Sequence, residues 1–83
     1  MIEIRYFASL RESMGRDRER LDWPEPQLAA ALIERLRERG EPWSSALRRA
    51  PHVMIAINQE MAGPDAIIRD GDEVALFPPV TGG

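Results

Sequence analysis

The sequence predicts one α+β domain in which a mixed sheet of four to five strands covers one main helix. Alternating apolar residues near both ends of the chain indicate strands, and one long amphipathic stretch between them indicates the helix. The 83 residues are enough for one small domain and too few for two. Strands that flank a single substantial helix are typical of a sheet with a helix on one face.

The N-terminal segment has the period-two pattern of a half-buried strand. Ile2, Ile4 and Tyr6 take the core-facing positions, and the residues between them are charged. Phe7 falls on the polar side, where a phenylalanine is out of phase with the pattern. The first strand is therefore predicted to carry an aromatic side chain on its outer face.

A short helix and a second strand follow. The segment from Ala8 to Met14 is predicted to be a helical turn that Gly15 ends. Arg18 to Trp23 is predicted to form a strand, which Pro24 ends because proline cannot donate to a ladder. The two strands are close enough in the chain to pair.

The long helix is predicted over Gln27 to Arg39, with Pro26 in its first turn and Gly40 at its C-terminal stop. The remaining elements are a shorter helix from Pro42 to Arg49, a strand from Val53 to Asn58, a turn from Asn58 to Glu60, a short return at Met61 and a last strand from Glu73 to Phe77. The apolar stripe of the long helix consists of Leu28, Ala29, Leu32, Ile33 and Leu36.

Composition excludes several functions. The chain has no cysteine, and all eleven basic residues are arginine. Disulfides, thiolate zinc sites, thiol nucleophiles and lysine Schiff bases are therefore ruled out. The formal net charge of −3 disfavours nucleic acid, which needs a cationic face. Short apolar runs and the lack of a secretory signal pattern predict a cytoplasmic protein without a membrane partner.

The end of the sequence carries the candidate chemistry. The predicted domain spans residues 1–77, and residues 78–83 form a predicted flexible, extended tail that begins with Pro78-Pro79 and ends with Gly82-Gly83. Glycine has no Cβ, so such a tail fits a narrow channel. A terminal carboxylate on Gly83 is a poor electrophile and a poor nucleophile until another enzyme activates it, for example by adenylation. A frayed chain end is the simpler alternative.

At this point the residues resemble a known family. Phe-Pro-Pro-Val-Thr-Gly-Gly at 77–83, preceded by Asp-Gly-Asp-Glu-Val-Ala at 70–75, resembles the end of the small subunits of molybdopterin synthase. Ile-Arg-Tyr-Phe-Ala at 4–8 and Ile-Asn-Gln at 57–59 resemble other segments of the same family. The resemblance implies the ubiquitin-like β-grasp fold, which agrees with the predicted order of elements.

The resemblance also implies a function. The family's small subunits are sulfur carriers, so Gly83 is expected to be adenylated and converted to a thiocarboxylate, with Pro78, Pro79, Val80, Thr81 and Gly82 inserted into the large subunit. The expected partners are that large subunit, in a complex of two small and two large subunits, a ubiquitin-activating-type adenylyltransferase and a sulfur donor. No resident cofactor is expected, because the activating enzyme consumes the ATP. Catalytic residues are expected in the large subunit, which converts cyclic pyranopterin monophosphate to molybdopterin.

Four residues are candidates for partner binding. Phe7 and Phe77 both fall opposite the core-facing positions, and Met61 is a third member of the same face. An exposed apolar patch on a small protein usually marks a partner site. These three positions and Arg11 match the docking positions of the family. The alternatives are that the apolar side chains cover loops of the same molecule and that Arg11 is a solvated surface residue.

Other functions are also compatible with the sequence. A carrier of the same fold for thiazole or cysteine synthesis would also end in Gly-Gly. A protein modifier would join Gly83 to a lysine of its target, and an interaction module would use the exposed face alone. The Phe-Pro-Pro-Val-Thr segment favours the molybdopterin pathway over the thiazole pathway.

Overall fold

The computed structural model describes residues 1–49 and 53–78. Within them the elements are β1 (Ile2–Tyr6), α1 (Ala8–Met14), β2 (Arg18–Leu21), β3 (Gln27–Leu28), α2 (Ala29–Arg37), α3 (Trp43–Arg49), β4 (Met54–Ile57), β5 (Glu60–Ala62), β6 (Ile67–Ile68) and β7 (Glu73–Phe77).

Five strands form a mixed sheet in the order β2-β1-β7-β4-β5. Its two central strands, β1 and β7, are parallel, while β2 with β1, β4 with β7 and β5 with β4 are antiparallel. Parallel neighbours need a long crossover, which the helices supply here. The predicted α+β class and the mixed sheet of four to five strands are confirmed.

The core lies between the inner face of this sheet and the helices. Ile4 and Tyr6 on β1 and Val74 and Leu76 on β7 are at most 1% exposed. The helices contribute a further set of fully buried residues, namely Ala29, Leu32 and Leu36. The predicted alternation of β1 and β7 is thus confirmed, since their even-numbered residues are the buried ones.

The predicted start of the long helix is wrong by two residues. Leu28 has extended backbone and is 45% exposed, and it belongs to β3, which pairs with β6. The helix starts after it because the loop before β6 provides acceptors for its first amides. The N–H of Ala29 donates to the carbonyl of Ala66 at 2.8 Å, and the N–H of Ala30 donates to that of Pro64 at 2.9 Å.

A two-residue hairpin joins β4 to β5. Asn58 and Gln59 both have positive φ, 51° and 69°, as type I′ turns require. The Asn58 side chain donates to Asp72 Oδ1 at 3.0 Å and accepts the Glu73 N–H at 3.0 Å. These two bonds fix the hairpin to the start of β7, in the middle of the sheet.

A polar network joins the sheet to the helices at the β2 edge. The Tyr6 hydroxyl donates to Glu19 Oε2 at 2.7 Å and accepts from Trp43 Nε1 at 3.2 Å. Arg39 forms an ion pair with the other oxygen of Glu19 at 2.7 Å. Burial and the hydrogen bond to Glu19 together raise the pKa of Tyr6 well above its usual value near 10.

The raised pKa of Tyr6 predicts a loss of stability in strong base. Above about pH 10 the unfolded chain releases the tyrosine proton while the folded chain keeps it, so the free energy of unfolding falls as pH rises. Tyr6 is the only tyrosine, so the rise in absorbance near 295 nm that accompanies tyrosinate formation reports this single proton. The folded protein should show no tyrosinate until it unfolds, whereas in denaturing urea the titration midpoint should lie near 10. A midpoint near 10 in the folded protein contradicts the network.

Candidate functional site

The outer face of the sheet, on the side away from the helices, carries the candidate site. Cα partners in neighbouring strands place their side chains on the same face. The register therefore sets one row of side chains across all five strands: Arg18, Arg5, Ala75, Ala56 and Met61. Beside this row, Met54 of β4 lies opposite Phe77 of β7. One side of the row is basic and the rest is apolar.

Phe7 and Phe77 contact each other at the end of the central strands. Their ring centroids are 6.4 Å apart with the planes at 85°, an edge-to-face arrangement. The Phe7 N–H donates to the Leu76 carbonyl at 3.1 Å, which continues the pairing of β1 with β7 by one residue. Ala8 then has a φ of 54°, so the chain turns sharply out of the sheet into α1. Phe7 is left 37% exposed.

The apolar side chains of this face form one surface, which we call the outer apolar patch: Phe7, Met54, Ala56, Met61, Ala75 and Phe77. Met61 is its most exposed large member at 59%, and Ala56 is 8% exposed although it lies outside the main core cluster. The structure thus brings the sequence-predicted residues Phe7, Met61 and Phe77 onto a common face. Whether a partner binds them stays a prediction.

Arg11 lies apart from the rows of the sheet. It is exposed on α1, whose first turn begins directly after Phe7. Its backbone N–H donates to the Phe7 carbonyl at 3.4 Å, which fixes α1 beside the patch. The backbone of Arg11 thus lies one helical turn from Phe7, and its predicted role in partner binding stays a prediction.

The last strand leads out of the sheet next to the patch. β7 ends at Phe77, and Pro78 follows it as a half-buried residue without regular structure. The predicted tail residues Pro79, Val80, Thr81, Gly82 and Gly83 lie outside the described residues. Because β7 lies between β1 and β4, the chain leaves from the centre of the sheet.

Sequence reasoning missed two parts of this face. Arg5 and Phe7 both occupy odd-numbered positions, so the alternation of β1 already places Arg5 on the outer face. Its position opposite Arg18 requires the register between β1 and β2, which the pattern alone does not give. The small residue Ala56 also goes unnoticed, because β4 is apolar on both faces.

Two structural features are absent from residues 1–49 and 53–78. No three histidine, cysteine, aspartate or glutamate side chains there are grouped so as to hold a metal ion. None of the helices in that part of the chain has the length and hydrophobicity needed to cross a bilayer.

The fold and its exposed face define a protein of the ubiquitin-like class. A solved structure of small archaeal modifier protein 1 from Haloferax volcanii superposes with a TM-score of 0.75 at 28% identity, covering 95% of this chain and 97% of that one. The sequence model of the ThiS family matches residues 4–83. The chain belongs to the ThiS family.

The sequences of two relatives match this chain along their whole length. The molybdopterin synthase sulfur carrier subunits of Haemophilus influenzae and Escherichia coli are 37% and 38% identical to this chain, with full coverage of both sequences in each case. A solved complex of subunits 1 and 2 of the molybdopterin-converting factor from Helicobacter pylori contains a chain of the same fold. That chain is 23% identical with a TM-score of 0.64, and the match covers 99% of this chain and 97% of that one.

The two faces of β1 and β7 predict losses of stability of different size on truncation. Leu76→Ala removes a side chain that is 0% exposed and should lower the free energy of unfolding by about 2 to 5 kcal/mol. Phe7→Ala should cost only about 1 to 2 kcal/mol, the value of one edge-to-face contact and one cation–π contact. Urea denaturation of both variants measures the difference. A cost for Phe7→Ala equal to that of Leu76→Ala would assign Phe7 to the core.

Proposed function

We propose that this chain is a cytoplasmic sulfur carrier, the small subunit of a molybdopterin synthase. In this proposal Gly83 is adenylated, is converted to a thiocarboxylate, and donates its sulfur to cyclic pyranopterin monophosphate in the large subunit. The observation that carries the proposal is the full-length similarity to two sulfur carrier subunits of that name. The Phe-Pro-Pro-Val-Thr-Gly-Gly segment at 77–83 supports it as the reactive arm.

The chemistry follows from the state of a carboxylate at neutral pH. A free α-carboxyl group is ionised at neutral pH, and as a carboxylate it does not react with nucleophiles. Attack of its oxygen on the α-phosphate of ATP releases pyrophosphate and gives an acyl adenylate. A sulfur nucleophile then forms a C–S bond as the C–O bond to AMP breaks. Because the chain has no cysteine, the sulfur must come from another molecule.

The outer apolar patch is the proposed docking surface for the large subunit and for the activating enzyme. Phe7 and Met61 are exposed at 37% and 59%, and Phe77 joins Phe7 beside the point where the chain leaves the sheet. A partner seated there lies next to the start of the tail. A fully extended segment of six residues spans about 20 Å, which is enough to enter an active site in that partner.

In this proposal no side chain of this chain is catalytic. The domain binds the partner and orients the tail, and the acid–base groups that move protons are proposed to belong to the large subunit. Arg11, exposed on the helix that follows Phe7, is proposed to add a polar contact to the apolar ones. Two small and two large subunits are the proposed assembly.

Protein modification is the second candidate function. The solved modifier from Haloferax volcanii at 28% identity favours it, because that protein shares the fold over nearly its whole length. A modifier uses the same activated Gly83 but forms an isopeptide bond with a lysine of the target. The fate of the activated carboxyl group therefore separates the two candidates.

Sulfur loading predicts a defined change in mass. When the full chain is incubated with the adenylyltransferase, ATP and a sulfur donor, the intact mass should rise by about 16 Da as one oxygen is replaced by sulfur. Deletion of Gly83 should abolish the shift and leave the melting temperature unchanged. An unchanged mass, under conditions that load the Escherichia coli relative with sulfur, contradicts the proposed carrier function. Conjugates of higher mass with target lysines would instead favour the modifier.

Docking predicts a loss of affinity when the patch is truncated. Phe7→Ala and Phe77→Ala should each weaken binding to the large synthase subunit by about 10-fold to 100-fold, since burying a phenylalanine contributes about 1.5 to 3 kcal/mol. Leu28→Ala is the matched control, because Leu28 is 45% exposed but lies on β3, outside the main sheet. Isothermal titration calorimetry measures all three. Equal affinities for Phe77→Ala and Leu28→Ala would exclude the patch as the docking surface.

A further inference from the structure

Two arginines lie directly opposite each other at the edge of the outer apolar patch. Arg5 on β1 and Arg18 on β2 are Cα partners in an antiparallel pair, so both side chains are on the outer face. Like charges at directly opposed positions destabilise a sheet. In residues 1–49 and 53–78 neither arginine has an ion-pair partner. The pair therefore costs the isolated domain stability.

Some arginines elsewhere in the described residues do pair with carboxylates. Arg37 pairs with Glu34 at 2.9 Å, and Arg39 pairs with Glu19 at 2.7 Å. The chain has 14 acidic residues for 11 arginines, so acidic side chains are not scarce. Other arginines in the described residues, such as Arg11 and Arg20, also lack an ion pair, so Arg5 and Arg18 are distinguished by facing each other across neighbouring strands.

The guanidinium of Arg5 is held in place beside the patch. Its central carbon lies 5.2 Å from the ring centroid of Phe7, a cation–π contact. Its Nε is buried and lacks a hydrogen-bond partner in the part of the chain that the structure describes. Arg5 is half-buried and Arg18 is exposed. A guanidinium that is already ordered loses less entropy when it binds a carboxylate.

We propose that Arg5 and Arg18 form a carboxylate-binding site, and that its occupant is an aspartate or glutamate side chain of the protein that docks on the outer apolar patch. The inference rests on the proposed docking function. One carboxylate between two guanidinium groups relieves their repulsion and gains charge-assisted hydrogen bonds. The site continues the patch without a gap, because Arg5 contacts Phe7 and Phe7 contacts Phe77.

An acidic protein surface fits this site better than nucleic acid does. Binding of nucleic acid needs many phosphate contacts, whereas this chain has a net charge of −3 and places Glu3 and Glu73 further along the same face. A single carboxylate at the edge of an apolar contact needs only the two arginines. The combination of an apolar centre and a charged rim is typical of protein interfaces.

Charge reversal tests the site directly. Arg18→Glu should weaken binding of the full chain to the large synthase subunit by at least about 10-fold, and Arg18→Gln by about 3-fold to 10-fold. Arg20→Glu is the matched control: it is exposed on the same face and strand but lies opposite Glu3, and its effect should stay below about 3-fold. Surface plasmon resonance at about 50 and about 300 mM NaCl measures the salt dependence of this binding. Raising the salt should lower the affinity of the wild-type chain more than that of Arg18→Gln.

A second measurement needs no partner. Arg18→Gln should raise the melting temperature of the isolated domain by about 1 to 5 °C at low salt, because it removes the repulsion with Arg5. The rise should shrink at high salt. A lower melting temperature for Arg18→Gln would show that Arg18 is satisfied within the domain, and would overturn the site.

The outcomes separate this inference from the function on which it rests. If Phe77→Ala loses binding to the large subunit while Arg18→Glu binds like wild type, the carboxylate site is wrong and the docking function stands. If the wild-type chain does not bind that subunit at all, the docking function is wrong and the proposed occupant with it. Self-association in sedimentation, or binding of a labelled single-stranded DNA, that Arg18→Glu abolishes would also overturn the proposal.

Discussion

The parallel pairing of β1 with β7 is the constraint on which the rest of the structure depends. It joins the two ends of the described chain in the centre of the sheet, with Ile4 beside Val74 and Tyr6 beside Leu76. Because parallel strands cannot be joined by a tight turn, the helices must cross between them and cover one face. The same pairing places Phe7 next to Phe77 and directs the end of β7 out of the sheet beside them. The core, the outer apolar patch and the position of the end of β7 follow from one set of hydrogen bonds.

Successive residues of these strands lie on opposite faces of the sheet and contribute to different parts of the structure. Tyr6 is 1% exposed and holds the network that joins sheet and helices, while Phe7 is 37% exposed on the other side. Leu76 is 0% exposed, and Phe77 after it takes part in the outer patch. A register shift of one residue would exchange the two faces. The bonds from the Asn58 side chain to Asp72 and Glu73 oppose such a shift, because they fix β4 against the start of β7.

Strong periodicity explains what could be predicted from the sequence. The alternation in β1 and β7 identifies their buried residues, and the one break in phase identifies Phe7 as an outer-face aromatic. Two-residue strands have no period to detect, so the pattern does not predict β3 and β6 and extends the helix to Leu28. The helix start depends on carbonyls of Ala66 and Pro64, which are distant in sequence. The opposition of Arg5 and Arg18 likewise depends on pairing between strands.

A carrier that binds two enzymes in turn needs a docking surface from which each partner dissociates readily. On the proposed function, the activating enzyme must let go of the loaded chain before the synthase can receive it. Apolar contacts at the centre of the patch supply affinity, whereas charges at the rim chiefly raise the association rate and reject wrong partners. Two arginines that remain unpaired in the described domain suit this requirement, because each partner relieves the same repulsion only while it is bound. On this proposal, the arginine pair that lowers the stability of the free domain is the same feature that favours rapid and selective exchange between partners.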